Sequence, residues 1–289
     1  MRKIILSIIV FSALGLLWWY LDSTREPVER TKNAEEAKPQ AELEQKVMSF
    51  TIDGRSAKGM KQWKLEGVSA DIIGEDIHLN DLKAVAFGDD VEINLTSDRG
   101  IYRKKKGEVE LIGNVKVVSS DGSTLETETA VWSQTTKNIT SQDMVKVSGN
   151  GMVAIGLGAT ANSDDKVASL LKDVKVAIEP NTKVRCDGSL TVSYDDATAI
   201  FLDNVVVKDK DGNLFADKLT VYFDKEKQQL AKVVAEGNVK VKKGNSYSVS
   251  EKAVYTETTK TAQLLGRPRI IIAPEEITEL QDLEQWNGE

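Results

Sequence analysis

From Met48 onward apolar and polar residues alternate with a period of two, which predicts strands rather than helices. The clearest run sets Val109, Leu111, Gly113, Val115 and Val117 on one side, and Glu108, Glu110, Asn114 and Lys116 on the other. The pattern returns at Val233, Ala235, Gly237, Val239 and Val241, and both runs contain the string GNVKV. A glycine midway along each apolar row predicts a bend or a close backbone approach. One charged row and one apolar row also fix the register, because a one-residue slip would turn the charges inward.

These strands belong to an internal repeat. The first branched residue of an (N/D)-V-x-V-like element falls at Val115, Val145, Val174, Val205 and Val239, at intervals of 29 to 34 residues. A second motif keeps phase, with Ala130–Lys137 (AVWSQTTK) matching Ala253–Lys260 (AVYTETTK). Turn signals stand between strands at Asp121-Gly122, Asp187-Gly188, Asp211-Gly212 and Lys243-Gly244-Asn245. Such a period predicts supersecondary units that cannot bury a face alone. Each has room for two or three short strands, and stacking gives two facing antiparallel sheets over an apolar interior. The copy between Ser148 and Val174 is the weakest, with Gly149, Gly151, Gly156 and Gly158, and reads as a seam between two parts.

The N-terminal segment has a different pattern. Ile4 to Leu21 carries no charge, follows Arg2 and Lys3, and ends in Trp18, Trp19 and Tyr20. As a helix it covers about 27 Å, close to the hydrocarbon thickness. Bulky aromatics and Asp22 stand where a signal peptidase needs small residues, so an uncleaved anchor with a cytoplasmic N-terminus is expected. Residues 22–47 read as a polar tether. At the other end, Ile277, Leu280, Leu283 and Trp286 have helical spacing in an acidic tail over 275–289.

Composition removes several functions. The chain has 289 residues and a net charge of -7, and this acidic balance argues against nucleic acid as a partner. One cysteine (Cys186) excludes an internal disulfide framework and a cysteine zinc site. One histidine (His78) excludes a two-histidine metal centre. Cys186 has no histidine near it in sequence and reads as a structural thiol. The run Arg103–Gly107 is a phosphate-binding candidate that reads better as a solvated hairpin tip. No phosphate-loop, dinucleotide, zinc-protease or nucleophile-elbow motif occurs. No catalytic residue, metal or cofactor is therefore assigned, and an enzyme is the least favoured class.

Some short motifs occur in a telling order. Trp63-Lys64-Leu65 is followed by Ser97-Asp98-Arg99-Gly100-Ile101-Tyr102, then by the strand ending Gly113-Asn114-Val115, then by Asp121-Gly122 and Leu125-Glu126-Thr127-Glu128. With the anchor before them, these resemble the LptC family, the membrane-anchored periplasmic component of lipopolysaccharide export. The resemblance covers about 1–178. The continuation, with Asp203-Asn204-Val205, Phe215–Leu219 and Glu236–Val239, is similar to the LptA/OstA-like repeats of the bridge proteins that follow LptC. The division expected is an anchor over 1–21, a linker over 22–47, an LptC-like part over 48–178, an LptA/OstA-like part over 179–274 and the tail.

The resemblance implies an all-β fold, an open antiparallel jellyroll of stacked repeats of about thirty residues, behind one transmembrane helix. It implies a bulk in the periplasm and an anchor in the inner membrane. It also implies lipopolysaccharide as cargo, received from the inner-membrane ABC transporter and passed to an LptA-like bridge protein. The inward row would line the groove: Leu111, Val115, Val117, Trp132, Val145 and Val147, then Val176, Val205, Val207, Val239 and Val241. Two strand edges would meet partners, one at Phe50 and Ile52, the other at Arg269, Ile270 and Ile272. The residues themselves fit a packed core equally well, so an anchored β-solenoid scaffold and a carbohydrate-binding module stay open.

Overall fold

The computed structural model describes residues 45–273 apart from 56–60, 88–91, 134, 163 and 228. The expected anchor, most of the linker and the acidic tail lie outside the described residues. Within the described residues there are seventeen strands and no helix, so none could cross a membrane as a helix. The chain divides into two compact units. One runs to residue 150 and includes 157–169; the other comprises 151–156 and 170 onward. The division falls in the glycine-rich segment of the weakest repeat.

In the first unit, seven strands pair antiparallel in chain order: β1 (Gln45–Arg55), β2 (Lys61–Ile73), β3 (Asp76–Phe87), β4 (Glu92–Arg103), β5 (Glu108–Ser119), β6 (Thr124–Ser133) and β7 (Asn138–Gly149). Parts of β8 (Met152–Asn162) and β9 (Val167–Ile178) complete it. In the second unit the latter half of β9 pairs with β10 (Thr182–Cys186). Both β10 and β11 (Leu190–Ser193) pair with β12 (Thr198–Asp209). The order then continues through β13 (Gly212–Asp224), β14 (Gln229–Lys243) and β15 (Ser246–Thr256). Strand β15 takes both β16 (Thr261–Leu265) and β17 (Arg269–Ile271).

The repeat is thus one long hairpin rather than two or three short strands, because most of the long strand pairs carry a register shift midway. Register shifts fall between Thr96 and Arg99, Ile112 and Val115, Leu202 and Val205, Phe215 and Lys218, and Glu236 and Val239. An extra residue in one strand bends it and leaves backbone groups without ladder partners. Side chains satisfy them. The hydroxyls of Ser97 and Ser250 donate to the carbonyls of Arg99 and Lys252, two residues on, at 3.0 and 3.1 Å. In the facing strand a pair of left-handed residues completes the corner: Gly113 and Asn114 (φ 82° and 48°), and Gly237 and Asn238 (φ 76° and 47°). Asn114 Nδ2 donates to Asp98 Oδ2 at 2.9 Å, and Asn238 Nδ2 to Asp217 Oδ2 at 2.8 Å. The (N/D)-V element is therefore the corner of each hairpin, which is why it sets the period.

Two turn expectations need comment. Asp187-Gly188 is not a hairpin turn: it is the corner between β10 and β11, and Asn204 Nδ2 donates to Asp187 Oδ2 at 2.8 Å. The paired AVWSQTTK and AVYTETTK motifs end their strands in equivalent tips, with Lys137 and Lys260 left-handed at φ 55° and 54°. Arg103–Gly107 is a tip as expected, closed by Gly107 N donating to Arg103 O, with Arg103 bonded to Glu110 at 2.5 Å.

Candidate functional site

The single histidine and the single cysteine are both among the described residues. His78 lies half-buried on β3, paired with Ile101. Cys186 is buried and takes the corner position held elsewhere by Ser97 and Ser250, its Sγ 3.6 Å from the Gly188 carbonyl. Burial pushes its thiol up to about 11, which suppresses the reactive thiolate. Among the described residues no group of three or more His, Cys, Asp or Glu is placed to hold a metal ion.

The distinctive feature is an apolar cavity of about 40 Å³ inside the first unit. Five strands line it, β4 through β8, and β5 contributes from both sides of its bulge: Val109 and Leu111 before, Val115 and Val117 after. The sheet of this unit therefore folds over at its corners, and the two halves of one strand face a common interior. Thr127 and Ser141 are polar members of the lining, but their hydroxyls lie 3.0 Å apart and satisfy each other. Polar groups that pair in this way are satisfied without a further partner.

Of the expected lining residues, Leu111, Val115, Val117, Trp132 and Val145 meet around this cavity. Val147 is buried near the strand end outside its lining. In the second unit Val176, Val205 and Val239 are buried, Val207 is half-buried and Val241 is 37% exposed. The wider hollows there are polar surface clefts, one bounded by Arg185, Asp187, Asn204 and Asp217, another by Lys240, Glu251, Arg267 and Arg269. Sequence reasoning missed Leu95, Leu125, Ala130 and Ile139 in the cavity wall. Strand β6 shows why: Leu125 and Thr127 face in before the corner, Ala130 and Trp132 after it, so the inward row changes parity. A Ser/Thr/Cys-Asp/Glu pair (Ser97-Asp98, Thr127-Glu128, Cys186-Asp187, Ser250-Glu251) marks such a corner.

The edge strands carry exposed apolar residues. On β1, Val47, Met48 and Ile52 are exposed, whereas Phe50 packs its ring over Gly67 of β2. At the end of the second unit Ile270 is 67% exposed, with Ile271 and Ile272 beside it. Arg269 is exposed on the same strand.

Residues 6–179 match the family described as lipopolysaccharide-assembly, LptC-related. The chain belongs to that family. Residues 183–279 match a second family, the LptA/(LptD N-terminal domain) lipopolysaccharide transport proteins. The two matches abut near the start of β10 and place the chain in lipopolysaccharide transport. Among solved structures, LptH, the LptA-homologous periplasmic component of the lipopolysaccharide transport device of Pseudomonas aeruginosa, is similar at 16% identity. That match covers 43% of this chain and 95% of LptH, with a TM-score of 0.37. No curated protein matches the chain.

Proposed function

We propose that this protein moves lipopolysaccharide without chemical change, sheltering its acyl chains in the apolar interior of the first unit. The LptC-related match supports the process, and the five-strand cavity supports the site. The driving force is ordinary: every acyl methylene kept from water saves about 0.8 kcal/mol. The cavity holds about one water-sized group. Loading therefore requires the two halves of the folded sheet to part along one side, as an open jellyroll trough would. Sugars and phosphates stay in solvent at the opening. No side chain has to react.

In this reading the run Ile4–Leu21 anchors the chain in the inner membrane as a single span, with the strands in the periplasm. Strand β1, near Phe50 and Ile52, receives the transporter's periplasmic edge. Strand β17, with Arg269, Ile270 and the adjoining Ile272, presents the next edge to an LptA-like bridge protein. The exposed isoleucines on so short a terminal strand support that assignment, since an unpaired apolar edge is otherwise an aggregation hazard.

The test is photo-crosslinking in cells from a benzophenone side chain at Val117, with the outward neighbour Lys116 as control. Crosslinks to lipopolysaccharide from Val117 and not from Lys116 are expected. Silence at Val117, Val145 and Trp132 in folded protein would leave an anchored scaffold as the better reading.

A further inference from the structure

The strand corners of the second unit are of two kinds, and the kinds alternate. One kind carries a carboxylate: Cys186-Asp187 between β10 and β11, Ala216-Asp217 on β13 and Ser250-Glu251 on β15. The other is a left-handed pair: Asp203-Asn204 on β12 (φ 65° and 51°), Gly237-Asn238 on β14, and Gly266-Arg267 between β16 and β17 (φ 78° and 53°). From β10 to the end of the sheet every acid corner is followed by a left-handed one.

Each left-handed corner has a carboxylate on both sides. Asn204 Nδ2 donates to Asp187 of the strand before it and shares a surface cleft with Asp217 of the strand after it. Asn238 Nδ2 donates to Asp217 before it and shares a cleft with Glu251 after it. Arg267 has Glu251 before it, in that same cleft. After it comes nothing: among the described residues β16 and β17 pair with β15 alone.

At this last corner an arginine stands where the others hold asparagine. Asparagine tolerates left-handed backbone and arginine gains nothing from it, so the corner's own geometry does not call for the exchange. Glu251 lies over Gly266, as Asp217 lies over Gly237, yet Arg267 makes no ion pair or side-chain hydrogen bond with it or with any other described residue. The exposed guanidinium is carried on a stem that can cross one strand spacing, about 4.8 Å, and it forks to fit both oxygens of a carboxylate.

We infer that the next place in the alternation is filled by an acid-kind corner on a strand of another protein, whose Asp or Glu pairs with Arg267 and so fixes the register of docking. This rests on the reading of β17 as the edge for an LptA-like bridge protein and adds what the incoming strand must carry. A second copy of this chain does not meet the requirement. Its edge strand β1 is itself left-handed at Ser49 (φ 53°), and residues 45–51 contain no carboxylate. Stacked on β17, it would break the alternation and leave Arg267 unanswered.

The test uses the full chain in detergent, a benzophenone side chain at Ile270 and the purified LptA-like bridge protein. Crosslinks should fall on an edge strand of the bridge protein beside an Asp or Glu. Arg267→Asn restores the residue of the other corners, so thermal unfolding should be unchanged or later while affinity for the bridge protein falls at least ten-fold. Arg267→Glu should weaken binding further, and arginine in place of the crosslinked strand's carboxylate should bring it back to within three-fold of the starting affinity. Full affinity in Arg267→Asn, a crosslinked strand without a carboxylate, or crosslinks to a second copy would overturn the inference while leaving β17 a docking edge. No crosslink to any protein from Ile270, nor from a second probe at Leu265, would overturn the inference and the edge assignment together.

Discussion

The pentapeptide GNVKV occurs once in each unit, and its two copies have the same backbone and different fates. Gly113-Asn114 and Gly237-Asn238 adopt nearly identical left-handed pairs, and the first valine of each copy is buried, Val115 at 2% and Val239 at 1%. Two residues on, Val117 is 1% exposed and Val241 37%. The difference lies in the neighbours. Val117 faces Leu95 and Leu125 across the ladder, while Val241 faces Leu214 and Ser248. The lysine between diverges too. Lys116 pairs with Glu126, which Lys146 also holds, whereas Lys240 lies over the Tyr247 ring at 4.6 Å with no carboxylate in its row. Local sequence sets the corner; what each flank does depends on strands brought alongside by the fold.

The shared part of the comparison can be broken at the glycines. A side chain at Gly113 would meet Asp98 Oδ2 at 2.5 Å in a left-handed backbone, and one at Gly237 would collide with Asp217 in the same way. Gly113→Val and Gly237→Val should each cost about 3 kcal/mol. Hydrogen exchange resolved by peptide should show the loss in the unit that carries the substitution.

The unshared part comes next. Val117→Ala should cost about 2 kcal/mol, because it enlarges an apolar cavity. Val241→Ala should cost less than about 0.5 kcal/mol, as expected at a position open to solvent. Equal losses in urea titrations would mean that the two flanks pack alike.

The smallest effect concerns charge. Hydrogen bonds from Lys116 and then Lys146 hold the Glu126 carboxyl below the ordinary carboxylate range; Lys252 does the same for Glu236. The unfolded chain therefore takes up the proton first as pH falls. The stabilisation is complete above the ordinary carboxylate value, near 4.3, and disappears as pH drops through the lower folded value. Both carboxylates are well exposed, so each contributes less than about 1 kcal/mol. Glu126→Gln should lower the unfolding midpoint slightly at pH 7 and leave it unchanged near pH 2.

Much of this was readable in the chain. The period-two alternation gave all-β architecture, the spacing of Val115, Val145, Val174, Val205 and Val239 gave the repeat, and Gly113 and Gly237 pointed to a bend in two of its copies. Leu111, Val115 and Val117 could be named because β5 keeps its parity through Gly113-Asn114. Others could not, because the corner of β6 reverses parity and turns Ala130 inward instead of Val131. The exposure of Val241 was equally hidden, since it depends on which residues stand beside it across the ladder. Asp187-Gly188 looked like a turn because aspartate and glycine serve corners and turns for the same conformational reason.

Within each unit most strands are joined to the strands that flank them in the chain, and exceptions such as β10 with β12 and β15 with β17 skip only one short strand. Loop-closure entropy is consequently met one hairpin at a time, and long-range searches of the kind that slow many β proteins are avoided. Each strand leaving the ribosome, or emerging from a translocation pore, finds its template already laid down just ahead of it. The order of synthesis is thus also an order in which the sheet can be knitted.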